Sequence, residues 1–147
     1  QHPEYLVKQL SEFKSGKRKN PIMKGFATTL SEDDMKNVAA FYAGKQAKPG
    51  AAKNKATVLT GERIWRGGIA DRMIPACAGC HGPNGRGNPG AGYASIQGQH
   101  ATYAAAQLRA YRSGARGTDP NQMMRAIAAR MTDQEIAAVA EYISGLQ

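Results

Sequence analysis

Two cysteines are all that the 147-residue chain contains. A structural zinc site needs four ligands, and no second cysteine pair exists to complete one. Long apolar runs are also missing, because no stretch reaches the roughly 18 apolar residues that a membrane-spanning helix needs. Acidic residues are scarce, 11 against 20 basic residues, and the net charge is +9. This charge predicts an acidic protein surface or an anionic membrane face as partner. Nucleic acid is disfavoured, because the basic residues are dispersed and form no known binding motif.

Lysine is absent from the second half of the chain. All ten lysines lie at or before Lys55, whereas nine of the ten arginines follow it. This change of basic residue type indicates two units joined near residue 50. Residues 45–56 combine lysine and alanine with Pro49 and Gly50, and we predict an exposed linker there.

The two cysteines lie in the run CAGCH at residues 77–81. C-x-x-C-H is the attachment signature of a c-type haem, whose vinyl groups form thioethers with the two thiols. The spacing places the sulfurs of Cys77 and Cys80 on one helical turn. His81 follows directly and is predicted to bind the iron through an imidazole nitrogen.

Other uses of a C-x-x-C pair fit less well. A thioredoxin-like redox disulfide lies in a βαβ context, and no convincing alternating strand pattern is present. The glycine-rich run at residues 82–87 provides the tight turn with which a chain folds back beside a flat cofactor. A c-type haem is attached outside the bacterial cytoplasm. We therefore expect an export signal that has been removed from this chain or lies upstream of it.

An internal repeat relates the two ends of the chain. Residues 1–18 recur as residues 99–116, and residues 20–44 recur as residues 121–145. Identical pairs include Gln1/Gln99, His2/His100, Tyr5/Tyr103, Gln9/Gln107, Arg18/Arg116 and Met23/Met124. The second copy is preceded by the haem motif, whereas the first copy begins at Gln1. We therefore expect the C-terminal part of a longer two-haem protein. Residues 1–44 would end its first domain, and residues 57–147 would form a complete second domain.

The spacing of apolar residues predicts an all-α fold. Helices are expected over residues 3–15, 31–43, 60–65, 100–111, 124–130 and 132–144. Ser31 is followed by acids, and Thr132 opens a capping box, both typical of helix N-termini. Residues 16–30, which hold Pro21 and Met23, are predicted to form a loop.

A haem iron bound by His81 has a sixth ligand or an open site. Methionine gives a six-coordinate electron carrier, whereas an open site permits peroxide chemistry. Three methionines are predicted to be core or surface filler, namely Met35, Met73 and Met131. In the repeat Met123 aligns with Ile22, whereas Met124 aligns with Met23. A position that demands a thioether should repeat as methionine, so Met124 is predicted to be the distal ligand. By the same logic Met23 is the distal ligand of the first unit's haem.

Further side chains are expected near the cofactor. Trp65 and Tyr93 are predicted to pack against the haem or within the core. His2 and His100 recur before a helix, and we expect them to cap it or to hydrogen-bond near the haem edge. Four arginines can fork onto a propionate, although each by itself is expected to be a solvated charge: Arg86, Arg112, Arg116 and Arg125.

With these residues in place, the chain resembles the di-haem cytochrome c4 family, which has two class I cytochrome c domains in tandem. The resemblance rests on residues 77–82, 98–100, 121–124 and 132–146, and in the first unit on residues 1–2 and 20–23. The chain departs from the family in having one C-x-x-C-H motif. Ala94 also stands where such proteins tend to carry a proline, whose carbonyl orients the proximal histidine. We expect the backbone carbonyl at Ala94 to serve equally.

The resemblance implies a class I cytochrome c fold and a periplasmic electron carrier, often loosely associated with the inner membrane. It implies one-electron transfer from the bc1 complex to a terminal haem-copper oxidase. One haem c would be attached at Cys77 and Cys80, and a second in the intact protein. We expect no catalysis and no small-molecule substrate. Two alternatives remain: a haem subunit of a peroxidase or dehydrogenase, and a haem-based sensor in which the Met124 ligand exchanges.

Overall fold

The computed structural model describes residues 1–46 and 50–147. Within those residues the chain forms eight α-helices, with two isolated β-bridges and no strand. The helices are α1 Pro3–Lys14, α2 Pro21–Thr28, α3 Glu32–Ala43, α4 Lys55–Gly67, α5 Cys77–His81, α6 Ala101–Arg112, α7 Met123–Ala128 and α8 Asp133–Ser144. Short 3-10 turns lie ahead of α5 and α7, at Ala70–Arg72 and Pro120–Gln122. The prediction of an all-α chain is confirmed.

Two predicted helix starts are confirmed by their caps. The Ser31 hydroxyl accepts a hydrogen bond from the Asp34 amide, and the Asp34 carboxylate accepts one from the Ser31 amide. Thr132 and Glu135 form the same reciprocal pair at the start of α8. Each cap satisfies amide groups that a helix N-terminus leaves without an intrahelical partner.

The prediction of a loop over residues 16–30 was wrong, because α2 occupies part of it. The Asn20 side chain accepts a hydrogen bond from the Met23 amide at 2.9 Å, and Pro21 occupies the first helical position, where its missing amide costs little. Helix α4 also begins earlier than predicted, at Lys55, because the Asn54 side chain caps it. Residues 47–49 of the predicted linker lie outside the described residues.

The larger core belongs to the second repeat. Helix α8 packs against α4 and α6, and α4 contacts α5. The core side chains are Ile64, Trp65, Ile74, Ala105, Met131, Ile136, Val139, Ala140, Ile143 and Leu146. Gly61 allows the approach of α4 to α8, since a Cβ there would overlap the carbonyl oxygen of Ala138 and lie 2.8 Å from Cβ of Tyr142. This helix pair provides the frame on which α5 is held.

Helices α1, α2 and α3 are the repeat counterparts of α6, α7 and α8. Helix α1 packs against α2 and α3, just as α6 packs against α7 and α8. Their buried apolar side chains are Phe13, Ala27, Met35 and Ala39. Met35 and Met131 are each 4% exposed and Met73 is 71% exposed, so all three match the predicted roles as core or surface filler.

Candidate haem-binding site

The C-x-x-C-H motif forms a single helical turn, α5, at the end of a loop that leaves the core at Ile74. Cys77 and Cys80 are free cysteines and are half-buried. Burial raises the pKa of the Cys77 thiol to about 11. Thioredoxin-like redox cysteines instead have a lowered pKa. The raised pKa keeps the Cys77 thiol neutral at ordinary pH, unlike the thiolate of a redox cysteine.

His81 is oriented by a hydrogen bond from its ring. Nδ1 lies 2.8 Å from the carbonyl oxygen of Ala94, so Nδ1 carries the proton and Nε2 keeps its lone pair. Burial lowers the pKa of His81, and the bond to Ala94 opposes that shift in part. The imidazole is thus held neutral with one nitrogen free for a metal. The expectation that the Ala94 carbonyl serves in place of a proline carbonyl is confirmed.

A glycine turn brings Ala94 to this position. The Gly87 amide donates to the His81 carbonyl at 2.8 Å, and Asn88 and Tyr93 exchange two backbone hydrogen bonds. Gly87 has a φ of 76°, and a Cβ there would overlap the Tyr93 carbonyl oxygen and approach the Ala94 carbonyl oxygen to 2.6 Å. Glycine is therefore required for the loop to fold back onto the motif.

Two aromatic rings flank His81. The Trp65 ring lies 6.5 Å from the His81 ring, between centroids, and the Tyr93 ring lies 6.4 Å away. Trp65 is fully buried, and its indole nitrogen donates to the Pro83 carbonyl oxygen at 3.0 Å. The prediction of a core aromatic is confirmed for Trp65. Tyr93 is partly exposed, which gives the histidine one buried and one accessible aromatic neighbour.

Met123 and Met124 open helix α7, and both are half-buried. The two residues before them, Asn121 and Gln122, have left-handed backbones with φ of 52° and 56°. The Tyr93 hydroxyl lies 3.8 Å from the sulfur of Met123. Because Tyr93 also stands beside His81, the methionine segment and the C-x-x-C-H turn share one aromatic neighbour.

Asp119 anchors the methionine segment, a role that the sequence analysis missed. Its side chain is 3% exposed and accepts hydrogen bonds from the Arg125 amide at 3.0 Å and from Arg125 Nε at 2.7 Å. Burial alone would raise the pKa of Asp119, but the bonds from Arg125 lower it overall. An Asp-Pro pair with an arginine six positions on, in a chain poor in acids, was the available signal.

The four predicted propionate arginines differ in surroundings. Arg86 is exposed, Arg112 is paired with Asp133, and Arg125 is paired with Asp119. Arg116 is 7% exposed and lies at the contact between the repeats, so the expectation of a solvated charge was wrong for it. Its side chain crosses to Tyr5, which the repeat alone did not reveal.

The His2 side chain makes a hydrogen bond to a distant loop instead of capping helix α1. Its Nε2 lies 2.8 Å from the Arg86 carbonyl oxygen, and the adjacent Gln1 side chain bonds the backbone of Ser95 at both its oxygen and its amide nitrogen. The side chain of His2 makes no capping hydrogen bond to α1. The expected bond near the haem motif is therefore present for His2, and it joins the first repeat to the loop after α5.

Met23, the counterpart of Met124, lies near the start of α2 beside a set of exposed apolar residues. The large apolar residues of α2 and α3 that are exposed are Ile22, Phe26, Phe41 and Tyr42, between 59% and 72% exposed. Met23 itself is half-buried. On α2 the half-buried thioether of Met23 thus lies between two exposed apolar residues, Ile22 and Phe26.

The residues present fit a haem c. Two free thiols occupy one turn, an oriented imidazole follows them, and a thioether segment lies near the same aromatic ring. Within residues 1–46 and 50–147, no group of three or more His, Cys, Asp or Glu side chains could hold a metal ion. In the same part of the chain no helix is long and apolar enough to cross a bilayer.

Comparison with known proteins identifies the family. The cytochrome c family model matches residues 68–147. Cytochrome c4 of Thiocapsa roseopersicina is 44% identical over 99% of this chain and 76% of its own length. The thiosulfate dehydrogenase electron acceptor of Stutzerimonas stutzeri (strain A1501) is 44% identical over 97% of this chain and 66% of its own length.

A solved structure shares the arrangement of helices. Reduced recombinant cytochrome c4 from Pseudomonas stutzeri superposes with a TM-score of 0.95 at 38% identity, covering 99% of this chain and 82% of that chain. The fold is therefore that of class I cytochrome c. The chain belongs to the cytochrome c4 family, and it is an electron carrier with covalently bound haem c.

Proposed function

We propose that the chain is a periplasmic one-electron carrier that passes electrons from the bc1 complex to a terminal haem-copper oxidase. The observation that carries this proposal is the hydrogen bond between His81 and the Ala94 carbonyl. His81 directly follows Cys80, the second of the two free thiols. This hydrogen bond supports a His81 ring whose orientation and tautomer suit iron binding before haem is attached. Family membership supports electron transfer as the use of that iron.

Each residue of the motif has one task. The sulfurs of Cys77 and Cys80 would bond the vinyl groups of the haem, and His81 would hold the iron through Nε2. Haem supplies the one-electron couple. The Ala94 carbonyl keeps the imidazole tautomer fixed, and the buried Trp65 excludes water from one side of His81. The protein therefore contributes orientation and burial, which tune the potential.

Met124 completes the ligand set. The repeat places it over Met23, while Met123 replaces Ile22. The sulfur of Met123 already has the Tyr93 hydroxyl as a neighbour, which supports a packing role for Met123. Asp119 and Arg125 hold the segment in place.

Residues 1–44 form the C-terminal part of a first cytochrome c domain, residues 45–56 the linker, and residues 57–147 a complete second domain. The support is the matching order and packing of α1–α3 and α6–α8. Met23 is the distal ligand of the first domain's haem. The exposed apolar residues Ile22 and Phe26, which share α2 with Met23, support a helix surface that a cofactor covers.

The charge of the chain supports the choice of partner and place. A net charge of +9 favours acidic docking surfaces and loose attachment to anionic lipids. Covalent haem attachment supports a location of the protein outside the cytoplasm. The bc1 complex as donor and the oxidase as acceptor follow from the family's usual position in respiration.

A second donor is favoured by a specific relative. The thiosulfate dehydrogenase electron acceptor, at 44% identity, is named for a different electron source. The same haem site in this chain would then accept electrons from a thiosulfate-oxidising enzyme. The two routes differ in the donor and use the same His81 and Met124.

Kinetic reduction assays separate these routes. The haem-loaded protein is mixed with reduced bc1 complex or with thiosulfate dehydrogenase and thiosulfate, and reduction is followed by visible absorption. Rapid reduction by bc1 and reoxidation by the oxidase support the first route, and reduction by the dehydrogenase alone moves the assignment to the second. Failure of both donors overturns both routes. Fast cyanide binding by the resting protein would instead favour an open iron and the peroxidase alternative.

A further inference from the structure

A cluster of six side chains joins the two repeats, and we call it the interface arginine cluster. Its members are three repeat pairs, Tyr5 with Tyr103, Gln9 with Gln107 and Arg18 with Arg116. Each arginine bonds the glutamine of its own repeat, and it also reaches the tyrosine and the glutamine of the other repeat. The contacts therefore obey an approximate two-fold symmetry.

The distances match across this symmetry. Arg18 donates to Gln9 at 2.6 Å, to Tyr103 at 2.8 Å and to Gln107 at 3.0 Å. Arg116 donates to its counterparts in the same way, at 2.8 Å to Gln107, 2.8 Å to Tyr5 and 3.1 Å to Gln9. Each guanidinium is thus bound in part by the opposite repeat.

Both charges are buried without a carboxylate partner among the described residues. Arg18 is 9% exposed and Arg116 is 7% exposed, and neither takes part in an ion pair there. Other arginines of the second repeat are paired with acids, for example Arg112 with Asp133 and Arg125 with Asp119. The cluster's partners are neutral amides and hydroxyls.

Aromatic rings provide additional support for the two charges. Arg18 lies 4.6 Å from the centre of the Phe13 ring, and Arg116 lies 4.7 Å from the Tyr111 ring. The Nε atom of Arg116 is buried and lacks a hydrogen-bond partner among the described residues. A buried cation with a spare donor favours a nearby anion, and the two propionates of a haem are carboxylates of that kind.

The cluster is continuous with the haem site of the second repeat. Tyr103 and Gln107 lie on α6, which packs against α7, the helix opened by Met123 and Met124. Arg116 precedes Asp119 by three residues, and Asp119 anchors the methionine segment through Arg125. The two guanidinium groups are buried, so solvent screens their charges less than it would screen exposed ones.

We propose that Arg18, a residue of the first repeat, is a positioning residue that raises the reduction potential of the haem attached in the second repeat, with Arg116 as its reciprocal partner. A buried positive charge favours the reduced iron, which carries one positive charge less. The neighbouring repeat thereby sets the potential of a haem that it does not bind. This inference rests on the proposed haem site at Cys77, Cys80 and His81.

The test is a redox titration of the haem-loaded Arg18→Gln protein. Glutamine keeps a polar side chain but removes the charge. We expect the equilibrium to shift about tenfold toward the oxidised form, equal to a fall of about 59 mV for a one-electron couple. Arg18→Lys restores the charge and should recover most of the shift, although it cannot bond all three partners.

Two controls separate charge from structure. Tyr103→Phe removes one hydrogen bond of Arg18 without changing the charge. We expect the redox equilibrium of the haem to shift by less than about twofold. Arg109→Gln removes an exposed charge of α6 that pairs with Asp133, and solvent screening should keep its effect equally small.

The outcomes are decisive for each claim. An unchanged potential in Arg18→Gln overturns the inference, as does a shift that Arg18→Lys fails to recover or that Tyr103→Phe reproduces in full. Covalently bound haem is measured in every variant after acid-acetone extraction. Loss of bound haem in the unaltered protein would reject the proposed site itself, which is a different failure from an unchanged potential.

Discussion

Nδ1 of His81 donates a hydrogen bond to the carbonyl oxygen of Ala94, 13 positions along the chain, across 2.8 Å. The bond fixes which ring nitrogen faces a metal, and a main-chain acceptor makes it independent of the side chain at position 94. The conformation of the intervening loop therefore matters more than the identity of that residue.

Gly87→Ala should destabilise the protein through the loop that carries Ala94. A Cβ at Gly87 would combine a left-handed backbone with overlap of the Tyr93 carbonyl. Gly92→Ala is the matched control, since Gly92 has a φ of 71° and nothing within 4 Å of the added atom. We expect the free energy of unfolding to fall by about 1–2 kcal/mol in the control and by about 2 kcal/mol more in Gly87→Ala. Guanidinium unfolding followed by circular dichroism measures both losses. Equal losses would show that the overlap relaxes freely.

Met124→Ala should leave haem attached through Cys77 and Cys80 but open the sixth position. The red absorption band of thioether-ligated ferric haem should disappear, and cyanide should bind rapidly. Met123→Ala is the control, because its sulfur contacts Tyr93 and it should keep the band. If the band disappears in Met123→Ala and persists in Met124→Ala, the ligand assignment is reversed.

Asp119→Asn should lower the free energy of unfolding by about 2 kcal/mol, because it removes the charged acceptor of two hydrogen bonds that hold the methionine segment. The same bonds lower the pKa of Asp119 against the opposing effect of burial. The contribution of Asp119 to stability is therefore complete above about pH 4, the ordinary pKa of an aspartate, and is lost as the pH falls through the lower pKa of the folded protein. The midpoint of guanidinium unfolding, measured between pH 2 and 6, should fall less steeply with acidification in Asp119→Asn than in the unaltered protein. Identical acid profiles would contradict this role.

Gly61→Ala should separate α4 from α8. The added Cβ would overlap the Ala138 carbonyl and lie 2.8 Å from Cβ of Tyr142, so we expect a loss of about 1–3 kcal/mol. Gly67→Ala, on the same helix with open space around it, should be neutral or stabilise by up to about 1 kcal/mol. Thermal unfolding followed by circular dichroism compares the two. A gain in stability for Gly61→Ala equal to that for Gly67→Ala would show that the crossing of α4 and α8 tolerates the added Cβ and that helix propensity decides stability here.

Local signals in the sequence were sufficient for much of the fold. The capping residues Ser31 and Thr132 defined two helix starts, because a cap acts within one turn. The same local rule was overlooked at Asn20, where Pro21 was interpreted as a loop residue although it suits a helix start. Asn54, the cap of α4, was overlooked in the same way.

Long-range contacts were beyond the reach of the sequence. The repeat revealed that Tyr5, Gln9 and Arg18 have counterparts, but periodicity gives no information on which surfaces of two copies meet. Burial of Arg116 therefore emerged only when the helices were placed together. Asp119 was missed for a related reason, because its role depends on a turn with two left-handed residues, which propensity alone does not predict.

Trp65 is the single tryptophan of the chain, and its fully buried ring lies 6.5 Å from His81. With haem attached at Cys77 and Cys80, an indole so close to His81 would lose its excitation by energy transfer to the porphyrin and would be nearly dark in the folded holoprotein. Unfolding would separate the Trp65 indole from the porphyrin and restore the tryptophan fluorescence. The chain thus contains its own optical probe, which reports cofactor loading and loss of the native fold without an added dye.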